Sequence, residues 1–262
     1  MPSSKPIAFF DSGLGGISVL RETVRLMPNE NYLYYGDSLH APYGAKSAAE
    51  VLELCRNAAQ YLTNVGIKAL VIACNTATSA AVNTLRAEYP DLLIIGTEPA
   101  VKPAVERHPN GRILVMATPM TLKEEKFRLL QEQFQADAEI IPVPCAGLME
   151  FVEQGILEGE ELERYLLEKL EPYRNIPVDA IVLGCTHYPF LASAIRRVAG
   201  NRVEILDGSS GIARHLQNSL AQRDLLNASE DAGTVEFRNS LDDAEILALA
   251  NRLLSCECGA DA

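Results

Sequence analysis

Two cysteines of this sequence stand where a thiol could take part in chemistry. Each follows a short apolar run and precedes polar side chains that can begin a helix; they are Cys74 and Cys185. A thiol at a helix N-terminus has a pKa below its usual value of about 8.5, so it can act as a base or a nucleophile near neutral pH. Taken singly, either cysteine would more often be a small buried hydrophobic residue.

The matched setting of the two cysteines favours a shared role. If their two segments face each other in the fold, one thiolate can remove a proton from one side of a substrate carbon. The other thiol can then deliver a proton from the opposite side. Such a pair would invert a stereocentre without a cofactor.

A glycine-rich segment at 11–16 follows the first apolar run and opens a predicted helix. Its glycines let backbone N–H groups approach a ligand, and the helix N-terminus favours an anion. Ser18 stands where a dinucleotide fingerprint needs glycine, and Ala45 stands where a P-loop needs glycine before Lys46. Asp11 adds a carboxylate, which suggests that the ligand also carries a cationic group. A tight strand-to-helix turn remains the alternative interpretation.

The composition is that of a globular protein and argues against several classes of partner. The 262 residues are 48% hydrophobic, which excludes a disordered chain. The formal net charge of −12 argues against nucleic acid and anionic membranes as partners. No apolar stretch approaches the roughly 18 residues that span a bilayer, and the N-terminal residues do not read as a signal peptide. We expect a cytoplasmic protein whose six cysteines are free thiols rather than disulfides.

Short apolar runs alternate with amphipathic stretches along the chain. The amphipathic stretches at 48–64, 122–133 and 160–173 predict helices. The apolar runs are apolar on both faces and predict strands of parallel sheets covered by helices; they span 7–10, 32–35, 70–73, 92–95, 113–116, 140–143, 181–183 and 203–206. The alternation predicts an α/β protein with open parallel sheets.

A weak internal duplication relates the two cysteine segments. Residues 68–76 align with 179–186, and 7–12 with 113–118, so two halves of similar strand order are expected. Loop chemistry places the junctions near 97–103 and 207–211. We therefore predict a discontinuous first domain of residues 1–97 and 208–262, and a second domain of residues 98–207.

Six motifs together resemble the glutamate racemase family, in order and at the family's spacing, from about residue 7 to about residue 213. They are FDSGLGG at 10–16, YGD at 35–37, PYG at 42–44, ACNTAT at 73–78, GTEPA at 96–100 and GCTHYP at 184–189. The resemblance implies interconversion of L- and D-glutamate by two cysteines, without pyridoxal phosphate or metal, to supply D-glutamate for peptidoglycan. It also implies two flavodoxin-like α/β domains with doubly wound parallel sheets, related by a pseudo-twofold axis. The active site would lie in the cleft between them, usually in a homodimer.

The same resemblance assigns roles to individual residues. Cys74 would handle the α-proton of the D-enantiomer and Cys185 that of the L-enantiomer. Asp11 would lie near the substrate ammonium group and Cys74. Substrate contacts would come from Asp11, Ser12, Tyr43, Gly44, Asn75, Thr76, Thr186 and His187, and support for proton transfer from Asp37, His187 and Glu153. His40 occupies a position where the family often has Arg or Lys.

Three alternatives stay open at this point. An aspartate racemase is the nearest, and a module that binds an acidic amino acid without turnover is another. A metal hydrolase could use Cys74, Cys185 and His187, although no Cys-x-x-Cys pair or His-Glu-x-x-His helix supports it.

The remaining cysteines have simpler interpretations. Cys55 lies among apolar helix residues and predicts a core position, and Cys145 follows Pro144 in a strand-end turn. Cys256 and Cys258 lack the four ligands of a structural metal site, so we expect them to belong to a frayed terminus.

Overall fold

The computed structural model describes residues 2–256 and contains two compact units. The first unit holds the chain up to Thr97 together with Ser209–Ser255, and the second holds Glu98–Gly208. Each unit is a parallel sheet with helices, so the predicted α/β class with two parallel sheets is confirmed.

Nine strands and eleven α-helices make up the two units within the described residues. The strands are β1 Ile7–Asp11, β2 Tyr32–Gly36, β3 Ala69–Ile72, β4 Leu93–Gly96, β5 Arg112–Ala117, β6 Glu139–Pro144, β7 Ala180–Leu183, β8 Glu204–Leu206 and β9 Val235–Asn239. The α-helices are α1 Ile17–Leu26, α2 Ala48–Val65, α3 Asn75–Glu88, α4 Val101–Arg107, α5 Pro119–Lys123, α6 Glu125–Phe134, α7 Leu148–Glu153, α8 Glu160–Leu170, α9 Ala192–Ala199, α10 Ser209–Gln222 and α11 Ala244–Ser255. Short 3₁₀ turns lie at Pro2–Ser4, Ser38–His40, Tyr43–Ala45, Glu171–Tyr173 and Tyr188–Leu191.

The two sheets share one strand order. The first runs β4-β3-β1-β2-β9 and the second runs β6-β5-β7-β8, with every neighbouring pair parallel. Read from the opposite edge, β8-β7-β5-β6 repeats β4-β3-β1-β2. Ile7 of β1 pairs with Ala69 of β3, as Ile113 of β5 pairs with Ala180 of β7. The carboxyl ends of β3 and β7 are therefore equivalent positions.

The central strands are apolar on both faces because helices cover both sides of each sheet. All residues of β1, β3 and β7 are buried. Strand β6 differs, since it lies at an edge and only its Val143 is buried. Pro142 and Pro144 fit an edge strand, because proline offers no N–H to a further neighbour. The expectation that this run is covered on both faces is wrong for that reason.

The predicted helices are present with one break. Helix α2 starts with a capping box between Ser47 and Glu50 and ends at Gly66 with a φ of 93°. The stretch predicted as one helix at 122–133 is two, because the backbone of Glu124 is extended between α5 and α6. Pro172 falls where α8 gives way to a 3₁₀ turn. None of the helices in residues 2–256 combines the length and apolarity needed to cross a bilayer.

The cysteines outside the two matched segments fall into two groups. Cys55 and Cys145 are buried free thiols, which confirms the predicted core position of Cys55. Cys256 is disulfide-bonded, which corrects the expectation of a free thiol there. Cys258 lies outside the described residues.

Candidate active site

The carboxyl end of β3 delivers Cys74 to the start of helix α3. Cys74 is the N-cap residue, with an extended backbone, and its Sγ accepts a hydrogen bond from the Ala77 N–H at 3.4 Å. The sulfur thus takes the place that a serine or threonine oxygen usually holds at this position. An N–H donor and the positive end of the helix dipole both favour negative charge on the sulfur. The thiol is 7% exposed.

The turn after β1 lies against this thiol. Ser12 Oγ is 3.7 Å from Cys74 Sγ, and Asp11 is fully buried with its Oδ1 accepting the Gly13 N–H at 2.7 Å. Gly16 makes the close approach feasible. A Cβ there would lie 2.7 Å from the Ala73 Cβ and 2.9 Å from the Asp11 Cβ. Packing therefore requires glycine at position 16, in addition to any role of the segment in binding a ligand.

The segment after β2 adds a second buried carboxylate. Tyr43 Oη donates to Asp37 Oδ2 at 2.7 Å, and His40 Nδ1 lies 2.8 Å from Asp37 Oδ1. Burial raises the pKa of Tyr43, and its hydrogen bond to Asp37 raises it further, so the phenol stays a donor. Gly44 follows in the same 3₁₀ turn. The next predicted contacts, Asn75 and Thr76, begin α3 and are buried.

In the second unit, a thiol and an imidazole follow β7, and a carboxylate from α7 contacts the imidazole. Cys185 Sγ lies 3.6 Å from His187 Nδ1, and His187 Nε2 lies 2.6 Å from Glu153 Oε1. Glu153 is the last residue of α7, so the end of that helix brings its carboxylate to the ring. Cys185 is 9% exposed and His187 is 2% exposed. Thr186, between them, is buried.

The charge state of His187 follows from these contacts. Burial alone would lower its pKa, but hydrogen bonds to Cys185 and Glu153 outweigh that effect and raise the pKa well above its usual value. The direction of this shift favours the imidazolium over the neutral ring. When the ring is protonated, its Nδ1–H is the donor in the contact with Cys185 Sγ.

The neighbouring groups behave differently. Burial raises the pKa of the Cys145 thiol to about 12, and its Sγ donates to the Val143 carbonyl. Tyr188 Oη donates to the Cys145 carbonyl at 3.0 Å. The side chains of Cys145 and Tyr188 therefore position the segment after β6, and neither is a base near neutral pH.

Each unit thus gathers part of the predicted set at one sheet edge. The first unit brings together Asp11, Ser12, Asp37, Tyr43, Gly44, Cys74, Asn75 and Thr76, and the second brings together Glu153, Cys185, Thr186 and His187. Among residues 2–256, no three or more His, Cys, Asp or Glu side chains are grouped so that they could hold a metal ion.

One residue outside the predicted set occupies an equivalent position. Thr118 follows β5 as Ser12 follows β1, by the strand register above, and its Oγ1 caps α5 by accepting the Thr121 N–H. The signal was present in the alignment of 7–12 with 113–118. The shared hydroxyl at this aligned position, Ser12 in one half and Thr118 in the other, could have identified Thr118.

Known proteins resemble the chain over nearly its full length. The Asp/Glu/Hydantoin racemase family matches residues 18–216. A glutamate racemase from Clostridium perfringens is 51% identical over 249 residues, covering 95% of this chain and 96% of the relative. The structure of glutamate racemase from Francisella tularensis in complex with D-glutamate has a TM-score of 0.83 at 26% identity, covering 97% of this chain and 95% of that one. Escherichia coli glutamate racemase, solved with L-glutamate and the activator UDP-MurNAc-ala, has a TM-score of 0.83 at 29% identity and covers 95% of each chain.

These similarities cover both units and the segments that carry both matched cysteines. The family match begins in α1 and ends in α10, so it includes Cys74 and Cys185. The relative with 51% identity extends further still along the chain. The chain therefore belongs to the Asp/Glu/Hydantoin racemase family and, within it, to the amino-acid racemases named glutamate racemase.

Proposed function

We propose that this chain interconverts L- and D-glutamate by proton transfer at the α-carbon, with Cys74 and Cys185 as the two bases. The observation that carries the proposal is the equivalence of the two thiols. Each follows the same strand of a shared four-strand order, and each sulfur has a nitrogen hydrogen-bonding partner. The ligands of the related structures, D-glutamate and L-glutamate, support the choice of substrate.

The proposed reaction moves one proton in and one proton out. From D-glutamate, the Cys74 thiolate takes the α-proton and the C–H electron pair stays on the α-carbon. The Cys185 thiol then delivers a proton to the opposite face. Cys74 ends as a thiol and Cys185 as a thiolate, which is the starting state for the reverse reaction. No other reactant is consumed.

The difficult step is removal of the α-proton, which is far less acidic than a thiol of pKa about 8.5. The carbanion-like transition state therefore needs strong stabilisation. We assign that task to donors on the substrate carboxylates from Asn75, Thr76 and Thr186, with Tyr43 and Gly44 in the adjoining turn. Backbone donors are important here because the net charge of −12 opposes an anionic substrate.

The remaining predicted residues support the two thiols. The His187 imidazolium, held by Glu153, would stabilise the thiolate that Cys185 becomes after it gives up its proton. Asp11, buried beside the Ser12–Cys74 contact, would face the substrate ammonium group, and Asp37 would hold Tyr43.

The biological setting is part of the proposal. We infer that the enzyme supplies D-glutamate for peptidoglycan, works in the cytoplasm and forms a homodimer. The UDP-MurNAc-ala activator of the Escherichia coli relative supports the link to peptidoglycan, because N-acetylmuramic acid is a peptidoglycan sugar. Light scattering on the purified chain would test the dimer.

The activity itself is tested by circular dichroism of the amino acid. Purified protein, treated with chelator, is mixed in separate samples with L-glutamate, D-glutamate and L-aspartate. Decay of the signal to zero from both glutamate enantiomers, with aspartate unchanged, is the expected result. Decay with aspartate alone would replace the substrate, and binding of glutamate without decay would favour the binding-module alternative.

A further inference from the structure

A buried carboxylate beside the proposed site contacts a half-exposed histidine. Asp37 is 5% exposed and is the residue directly after β2. His40 Nδ1 lies 2.8 Å from Asp37 Oδ1 and 3.0 Å from Oδ2, so one ring nitrogen faces both carboxylate oxygens. The His40 side chain is 45% exposed. The carboxylate therefore has a partner whose other side reaches solvent.

The inner side of the same carboxylate holds a phenol. Tyr43 Oη donates to Asp37 Oδ2 at 2.7 Å, and Tyr43 is 1% exposed. Asp37 thus links an accessible imidazole to a buried ring. That ring begins the 3₁₀ turn Tyr43–Ala45, which contains the predicted substrate contacts Tyr43 and Gly44.

The backbone of this segment is held by other contacts. Ser38 Oγ accepts from Asn239 Nδ2 at 2.8 Å, and the Leu39 N–H donates to Ser240 Oγ at 2.9 Å. These bonds tie the Ser38–His40 turn to the end of β9. Loss of the His40 ring would therefore leave the turn in place and change mainly the partner of Asp37.

Charge gives the imidazole a second effect. Asp37 and Cys74 both act electrostatically on Tyr43, which places the phenol within reach of the proposed catalytic thiol. An uncompensated Asp37 carboxylate would oppose a thiolate and an anionic substrate in this region. The direct contact of His40 Nδ1 with both carboxylate oxygens offsets part of that charge.

We propose that His40 is a positioning residue for the racemase reaction: it holds Asp37, which in turn holds the Tyr43 hydroxyl and the substrate-binding turn. This inference rests on the proposed function. Because His40 acts on binding groups rather than on the α-proton, its loss should be seen mainly in KM.

The test is steady-state kinetics of His40→Ala with both glutamate enantiomers. We expect KM to rise roughly tenfold, the size expected for a lost hydrogen bond to a charged group, while kcat stays within about twofold. The enantiomers have equal free energies, so kcat/KM must fall by the same factor in both directions. His40→Arg, whose guanidinium can bond both carboxylate oxygens, should restore KM. His40→Gln, of similar size but uncharged, is the substitute should the alanine variant fail to fold.

A matched control is His108→Gln. His108 also pairs with a carboxylate, Glu204, but that pair lies at the start of β8, at the opposite end of its sheet from Cys185. Its KM should be unchanged. Wild-type racemisation combined with an unchanged KM in the folded His40 variants would overturn the role of His40 alone, and so would a fall in kcat without a change in KM. No racemisation by the wild type would overturn the proposed function itself.

Discussion

His187 Nε2 lies 2.6 Å from Oε1 of Glu153, a residue 34 positions earlier in the chain. With the ring protonated, this contact leaves Nδ1–H directed to Cys185 Sγ at 3.6 Å. The carboxylate thereby fixes both the orientation and the charge of the imidazole. In the proposed mechanism, Cys185 alternates between proton donor and base, and a protonated His187 would lie beside it in both states.

Glu153→Gln should lower the pKa of His187, because the carboxylate that stabilises the imidazolium becomes a neutral amide. NMR titration of the 4 histidines would show it. We expect the His187 imidazole of the wild type to stay protonated above the usual pKa of a histidine, and to titrate lower in the variant. Turnover of L-glutamate should fall by roughly tenfold or more. Glu150→Gln, an exposed position on the same helix, is the control, and an unchanged His187 titration in Glu153→Gln would contradict the pairing.

The same ion pair predicts a pH dependence of stability. The pKa of His187 is raised in the folded state above its unfolded value of about 6.5, so protonation adds stability in full below that pH. The contribution is lost as the pH rises through the folded pKa. The stability advantage of the wild type over His187→Gln should therefore shrink as the pH rises above about 6.5 in urea unfolding. An advantage that grows over this range would show that the ring is neutral in the fold.

Gly16→Ala should destabilise the first unit, because the new methyl would meet the Cβ atoms of Ala73 and Asp11 under 3 Å. Overpacking of this kind costs about 1–3 kcal/mol. Gly211→Ala is a sharp control, since that helical glycine has nothing within 4 Å of its added methyl and should gain up to about 1 kcal/mol in helix propensity. Urea unfolding of both variants measures the difference, and equal stabilities would count against close packing at Gly16.

Cys55 and Cys145 should be dispensable for activity. Burial raises the pKa of both thiols, that of Cys145 to about 12, so neither ionises near neutral pH. Each alanine variant should lose about 1–2 kcal/mol of stability through the cavity it leaves. Racemisation followed by circular dichroism should stay within about twofold of the wild type. A folded Cys145→Ala protein without activity would require a role for this thiol that the proposed mechanism lacks.

The sequence patterns predict much of the fold because most strands are short, apolar runs. Eight of the nine strands among the described residues coincide with such runs. The ninth, β9, escaped prediction because Val-Glu-Phe-Arg-Asn alternates apolar and polar residues at a sheet edge. The break at Glu124 was also hidden, since the amphipathic pattern continues through it.

The candidate site was likewise only partly predictable from the sequence. Cys74 and Cys185 could be found from their matched positions at strand ends. The contacts of Glu153 with His187, and of Asp37 with His40 and Tyr43, depend on where α7 ends and how one loop folds. No local pattern encodes those distances, so the family resemblance alone pointed to Glu153 and Asp37.

The central claim is that two different thiols handle the α-proton, and deuterium oxide tests it most directly. Wild-type protein is incubated with L-glutamate in deuterium oxide, and both enantiomers are recovered early in the reaction for mass analysis. With two bases, the D-glutamate formed should carry α-deuterium while the unreacted L-glutamate still carries protium, and Cys74→Ala or Cys185→Ala should abolish the conversion. D-glutamate that retains the original proton, or conversion that survives loss of either thiol, would contradict the account.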